Sequence, residues 1–189
     1  LPASQLTFEM ARTYNSQSLL TGMLGTGWSD TLHKELIKGE DGTMYYLDSD
    51  GSIYHFEKSG DTYVCKETKD LTLNDGSVKT PSGDTAAGVK STQIGEMSYS
   101  YKETIAEENI VKNRKHAYTI KDKKGVLYRF NKEGQLVAAL DPNGTFLLYE
   151  YYADGRLKQV SSDALKTMEL SYQKDSGLLE EITLPDGTK

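Results

Sequence analysis

The residues of this chain that could carry chemistry are few and scattered. Asp48-Ser49-Asp50-Gly51 comes nearest to a metal motif. Aligned with a helix–loop–helix calcium loop, these residues take positions 3 to 6, with Glu57 at position 12. Position 1 then falls on Tyr46, which offers no carboxylate, and the flanks read as strands rather than helices. A hairpin turn is the expected use of this segment, and no metal or other cofactor is expected. His33, His55 and His116 stand in no ligand-like spacing and are read as surface or strand histidines. The single cysteine, Cys65, lies in an alternating run without a fixed partner and reads as an inert thiol. Lys112-Asn113-Arg114-Lys115-His116 is a short basic cluster, expected to be a solvated loop. No nucleophile elbow is present, and Gly22-x-x-Gly25-x-Gly27 has the wrong order for a dinucleotide loop. Trp28 has two readings: a plug at the end of a sheet, or a stacking platform for sugar. The carboxylates are many, but no spacing singles out an acid/base pair. No enzymatic activity is expected.

The elements that would position these residues are short strands. The chain has 189 residues, 37% of them hydrophobic, and a net charge of −6. Its mean hydropathy is −0.59, which suits sheets that keep one face in water. An acidic balance gives no long-range attraction to nucleic acid. No apolar run reaches the ~18 residues of a spanning helix, and no secretory signal is visible. The chain opens on Leu1-Pro2 without Met and stops in a turn signal at 185–189. It therefore reads as a fragment, and the missing signal says nothing about location. Thirteen tyrosines against four phenylalanines and one tryptophan suit half-buried pleated surfaces.

Turn signals punctuate the chain. Asp-Gly recurs at 41–42, 50–51, 75–76, 154–155 and 186–187, with Asn-Gly at 143–144. Such pairs supply the positive φ of tight hairpin turns. Between them apolar residues alternate, as in Leu6, Phe8, Met10 and in Met168, Leu170, Tyr172. Residues 74–100 are rich in Gly, Ser and Thr and are expected to form a long loop or irregular hairpin. Residues 102–112 supply the one candidate helix.

From about residue 117 the pattern repeats. Segments 125–130, 144–149 and 166–172 each lead into a turn, centred on Gly134, Gly155 and Gly177, followed by a short apolar run. A period near 20 that encodes one hairpin marks a repeat architecture whose neighbours complete each other's core. Within it, Gly155 is read as a positive-φ residue, Asp154 as a bond to the turn backbone, and Tyr149 and Tyr151 as stacking along one strand face.

Two motifs give a resemblance. Arg12-Thr13-Tyr14-Asn15-Ser16 followed by Gly25-Thr26-Gly27-Trp28 resembles the lead-in domain that precedes Rhs repeats. Tyr149-Glu150-Tyr151-Tyr152-Ala153-Asp154-Gly155-Arg156-Leu157 resembles the YD repeat, with Tyr152 where the kernel has Asp. The stretches ending in Gly144 and Gly187 are similar to inter-repeat linkers. The Gly-Arg-Leu kernel is replaced at Gly134-Gln135-Leu136 and Gly177-Leu178-Leu179. Among bacterial wall-associated proteins and Rhs polymorphic toxins, this resemblance implies a secreted or cell-surface β shell. Its partners would be downstream repeats and a C-terminal effector domain of the same chain. The expected fold is all-β: antiparallel hairpin repeats in an extended curved sheet, with at most one short helix. The expected organisation is a lead-in domain over 1–116 and hairpin repeats over 117–189. The alternative is a carbohydrate- or surface-binding module, with Trp28, Tyr149 and Tyr151 as contacts to a cell-surface glycan.

Overall fold

In a computed structural model, residues 6, 8–60, 62–75, 89–91, 97–101, 115–163 and 166–189 are described. Among them the protein is all-β and antiparallel; the helix expected over 102–112 lies outside them. Alternation sets the strands. In β6 (Met44–Leu47), Met44 and Tyr46 are buried while Tyr45 and Leu47 are half-buried, so the pleat separates an inner from an outer face. β5 (Glu35–Lys38), β7 (Ile53–Ser59), β8 (Thr62–Cys65) and β9 (Thr72–Asp75) continue the first half of the sheet. β13 (Tyr118–Lys121), β14 (Leu127–Phe130) and β15 (Leu136–Leu140) follow, then β16 (Phe146–Tyr151), β17 (Leu157–Ser162), β18 (Thr167–Tyr172) and β19 (Leu179–Thr183). All twelve form one sheet in the order β19-β18-β17-β16-β15-β14-β13-β9-β8-β7-β6-β5. Because β13 pairs directly with β9, the sheet runs unbroken across residue 116.

The turns share one chemistry. At 48–52, 122–126, 131–135, 141–145 and 152–156 the glycine N–H donates to the carbonyl of the turn's first residue. The N–H of that first residue donates to the carbonyl of the fifth. This is a three-residue loop closed by a left-handed glycine, and Gly155 has φ +90°. The Asp and Asn residues complete it: the Asp154 carboxylate accepts the Arg156 N–H at 3.1 Å.

A second device recurs in the repeats. Phe130 pairs with Leu136, Tyr151 with Leu157 and Tyr172 with Leu179, each at a register shift. The second strand of each hairpin thus holds one extra residue: Val137, Lys158 and Glu180. A bulge bends its strand and sharpens the twist. Repeated at one place in successive hairpins, it curls the sheet.

How far it curls is visible from contacts across the concave face. β6 and β14 lie five steps apart in the strand order, which in a flat sheet means about 24 Å at ~4.8 Å per step. Yet the rings of Tyr46 and Phe130 meet edge to face with centroids 6.0 Å apart. At the end of the roll, the Leu36 N–H donates to the Gly134 carbonyl at 2.9 Å, and Glu35 forms an isolated bridge with Gln135. The sheet remains open, touching itself at this seam. Its inner face carries one core, with Phe56, Ile120, Phe130, Leu136, Val160 and Leu170 fully buried. A second cluster of Ala138, Leu140, Phe146 and Leu148 lies on the opposite face.

The lead-in segment packs on the inner core through Phe8, Met10 and Met23. It carries β1 (Arg12–Tyr14), which pairs with β4 (Trp28–Asp30), and a two-residue hairpin of β2 (Thr21–Gly22) and β3 (Gly25–Thr26). Between the two halves of the sheet, β10 (Val89–Ser91), β11 (Met97–Tyr101) and β12 (Lys115–His116) form a small antiparallel sheet. Of the stretch 74–100, expected to be a long loop or an irregular hairpin, the described residues of β10 and β11 pair as antiparallel strands, and most of the rest lies outside the described residues. Lys115 and His116 correct the expectation of a solvated basic loop: they form strand β12, and His116 is buried.

Candidate functional site

The lead-in motif folds as a ribbon because its backbone closes on itself. The Asn15 N–H donates to the Gly27 carbonyl at 2.8 Å, and the Asn15 side chain accepts the Gln17 N–H at 3.0 Å. Only glycine fits at 27: a Cβ there would lie 2.8 Å from the Asn15 carbonyl oxygen, at φ +82°. Gly25 also has positive φ and sits against Leu178 of the last repeat. Ser16 is exposed in the turn after β1. On the ribbon's face, Tyr14 packs on Trp28 at a centroid distance of 5.1 Å, and the Arg12 guanidinium lies 5.4 Å from the indole centre. Trp28 is therefore half-buried between its neighbours, not an open platform.

The repeat motif forms a second constellation. The Tyr151 hydroxyl donates to the Leu136 carbonyl at 2.8 Å, and the Tyr172 hydroxyl donates to the Leu157 carbonyl at 2.7 Å. Donors and acceptors both advance by 21 residues, so one hairpin reaches back to the preceding one by the same bond. Phe130 holds the equivalent place one hairpin earlier and has no hydroxyl. Arg156 is gripped by Asp154, at 3.0 and 2.7 Å, and lies 4.8 Å from the centre of the Tyr172 ring. Tyr172 also meets Tyr152 edge to face. Burial pushes the Tyr151 and Tyr149 phenols well above their usual range, and that of Tyr172 to about 12. These hydroxyls stay protonated and act as donors.

This corrects the expectation of tyrosine contacts for a glycan. Tyr149 is 4% exposed and belongs to the inner core, and Tyr151 is half-buried with its hydroxyl engaged. The period-two pattern that puts both on one face puts them on the face that packs. Gly144 closes the turn before β16 at φ +100°, and Leu157 is buried.

The structure brings the two motifs together. The Leu179 N–H donates to the Met23 carbonyl at 2.7 Å, and the Met23 sulfur lies 3.6 Å from the Tyr172 hydroxyl. Between lead-in and repeat turns runs a cleft of about 470 Å³, lined by Glu35, Glu133, Gln135, Asp154 and Arg156 among others. A smaller cavity of about 190 Å³ opens beside Trp28.

Several polar clusters have no sequence signal, because their partners are distant along the chain. Lys34 pairs with Asp48, donates to Tyr46 at 3.2 Å and Ser49 at 3.1 Å, and lies 4.6 Å from the Tyr128 ring centre. Burial pushes the Asp48 carboxyl up, but the Lys34 ammonium and the Ser49 N–H outweigh it and leave it below the usual range. Asp48 thus anchors a turn by an ion pair. His33 is raised above its ordinary value, chiefly by its bond to Glu35. The ring of His55 and its N–H both meet Glu67, whose carboxyl is held at about 2 by that N–H first. Cys65 approaches the same carboxylate at 3.5 Å, and burial pushes its thiol up, away from the reactive thiolate. Among the described residues no three His, Cys, Asp or Glu side chains cluster as metal ligands.

Residues 1–56 match the family described as "Domain of unknown function (DUF6531)". The match takes in the ribbon, β5, β6 and the first half of β7, so it covers the roll's seam strand but none of the hairpin repeats. No curated protein matches the chain. The DUF6531 segment holds Trp28 and its cavity, and through Met23 it touches the repeats that lie outside the match. No helix among the described residues is long and apolar enough to cross a membrane.

Proposed function

We propose that this chain is a structural shell segment of a secreted or cell-surface Rhs/YD-repeat protein, scaffolding and enclosing a C-terminal toxin or effector domain. The observation that supports this most is the 21-residue recurrence of one tie, Tyr151 to Leu136 and Tyr172 to Leu157, inside a single curled sheet. Each hairpin buries its apolar face only when its neighbour is in place, which is the economy of a scaffold built by repetition. The seam at Leu36 and Gly134 marks how far the sheet has curled, and curvature is what an enclosing wall needs. The role is mechanical and assigns no catalysis to any residue.

Among the described residues the last strand, β19, has β18 as its one strand neighbour, with the Leu179 N–H taken by the Met23 carbonyl. In a shell, that edge receives the next hairpin. The test appends one further hairpin copied from the 144–162 pattern and follows amide hydrogen exchange over 179–183. Increased protection there, with a higher denaturation midpoint, is expected. Unchanged protection would make the hairpins independent beads and favour the carbohydrate- or surface-binding reading instead.

A further inference from the structure

The repeat hairpins are stacked by a second recurrence, at the tips of their turns. The residue after each turn glycine reaches to the next glycine in the row. The Gln135 side-chain amide donates to the Gly155 carbonyl at 3.1 Å, and a Cβ on Gly177 would lie 4.0 Å from a guanidinium nitrogen of Arg156. Leu178 follows Gly177 and is the next residue of this series. What it reaches is Gly25 of the lead-in, where a Cβ would lie 3.9 Å from the end of the Leu178 side chain. Gly25 has φ +98°, beside +90° at Gly155 and +70° at Gly177. The hairpin of β2 and β3 offers Leu178 the left-handed glycine that a further repeat turn would offer.

The strand edge beside this tip is filled by the same hairpin. The Gln173 N–H donates to the Leu178 carbonyl at 2.8 Å, so the adjoining pair, Tyr172 and Leu179, turns its backbone groups away from its partner strand. In the two earlier hairpins the carbonyl at this position, of Leu136 and of Leu157, receives the tyrosine hydroxyl of the following hairpin. At Leu179 it is the lead-in that arrives: the Met23 carbonyl takes the Leu179 N–H at 2.7 Å. A backbone so close to an outward N–H lies in the lane, about 4.8 Å wide, that an adjacent strand would fill. The occupying hairpin is small, with two residues in each strand and Thr21 and Thr26 exposed. A two-stranded ribbon of that size does not hold itself together once undocked.

We propose that the β2–β3 hairpin of the lead-in is a placeholder: it occupies the docking place of the next repeat hairpin, so that only one of the two is docked at a time. The proposal rests on the shell reading above, because the competing occupant is a further hairpin of the same chain. The placeholder covers Leu178 and the Leu179 N–H while the edge is empty. An incoming repeat brings a glycine for Leu178, a tyrosine for the Leu179 carbonyl and a ladder of bonds along β19, against the single backbone bond that Met23 makes there.

The experiment compares amide exchange in two chains, the present one and one extended by the hairpin copied from 144–162. Extension should protect 179–183 and speed exchange over 21–26 ten-fold or more. Gly25→Val, strained at φ +98°, should speed exchange of the Leu179 amide ten-fold or more in the present chain and less than two-fold in the extended one. Unchanged exchange in β6 shows that the variant is folded. If it is not, Leu178→Gln, which keeps the residue type of position 135, gives the same pair of readings. A gain over 179–183 confined to Gly25→Val also supports a shared place. Protection of 179–183 with 21–26 untouched, or equal effects of the substitution in both chains, would overturn the placeholder and leave the shell standing. No gain over 179–183 even with Gly25→Val would sink both.

Discussion

His116 shows what a single buried side chain costs. Its ring nitrogen lies 3.4 Å from the Arg129 guanidinium, which also donates to Thr119 at 2.7 Å. Burial first, and that guanidinium second, lower its pKa from 6.5 to about 3. The folded chain therefore keeps this imidazole neutral, while the unfolded chain protonates it as pH falls through 6.5. Stability is full above that value and is lost on acidification, at a slope approaching 1.4 kcal/mol per pH unit (about one proton). His33 has the opposite sign. Its raised value, set by Glu35, makes its contribution complete below 6.5 and lost at higher pH. Between pH 6 and 5 His33 therefore adds little slope. Urea midpoints measured across that window should fall for the wild-type chain and stay nearly flat for His116→Gln. A slope shared by both would show that His116 is not the titrating group. In the sequence this histidine looked like any other, because its burial depends on Arg129, a strand away.

At the scale of the element, two glycines with nearly the same backbone separate strain from contact. Gly42 has φ +84° and Gly134 φ +85°. A Cβ on Gly42 would meet nothing within 4 Å, whereas one on Gly134 would lie 1.7 Å from the Leu36 carbonyl oxygen. Gly42→Ala should cost about 1–2 kcal/mol, the left-handed penalty alone. Gly134→Ala must add the loss of the seam and should cost several-fold more, read as the difference between their guanidinium midpoints. Equal midpoints would mean that the seam carries no stability. Both glycines were legible as turn residues from their Asp-Gly and Glu-Gly pairs, as was the alternation of Met168, Leu170 and Tyr172. The bulges were not. An extra residue at Val137, Lys158 or Glu180 shows only when two strands are laid side by side. The close approach at Gly134 was hidden by the hundred or so residues that separate it from Leu36.

Over the whole molecule, the lead-in ties together the two ends of one continuous sheet. It runs from its hydrogen bond with Leu179 to β5 at the seam. The motif singled out Gly25, Gly27 and Trp28 but not the packing of Tyr14 and Arg12 on the indole, and local spacing could not show Met23 meeting a residue near the other end of the chain. A chain starting at residue 31 should lose protection of the Leu179 amide and unfold over 178–183 before the rest. Unaltered exchange at Leu179 would show that the lead-in is a passive cover. The tyrosine ties also have a direction. Each phenol donates to a carbonyl lying earlier in the chain, so its acceptor strand has already been synthesised when the tyrosine leaves the ribosome. A nascent hairpin finds its docking partner waiting, and the carbonyl it offers in turn, such as that of Leu157, can be served by water until the next tyrosine arrives. The wall can be laid down course by course at the pace of translation, with exposed sticky surface limited to the newest hairpin.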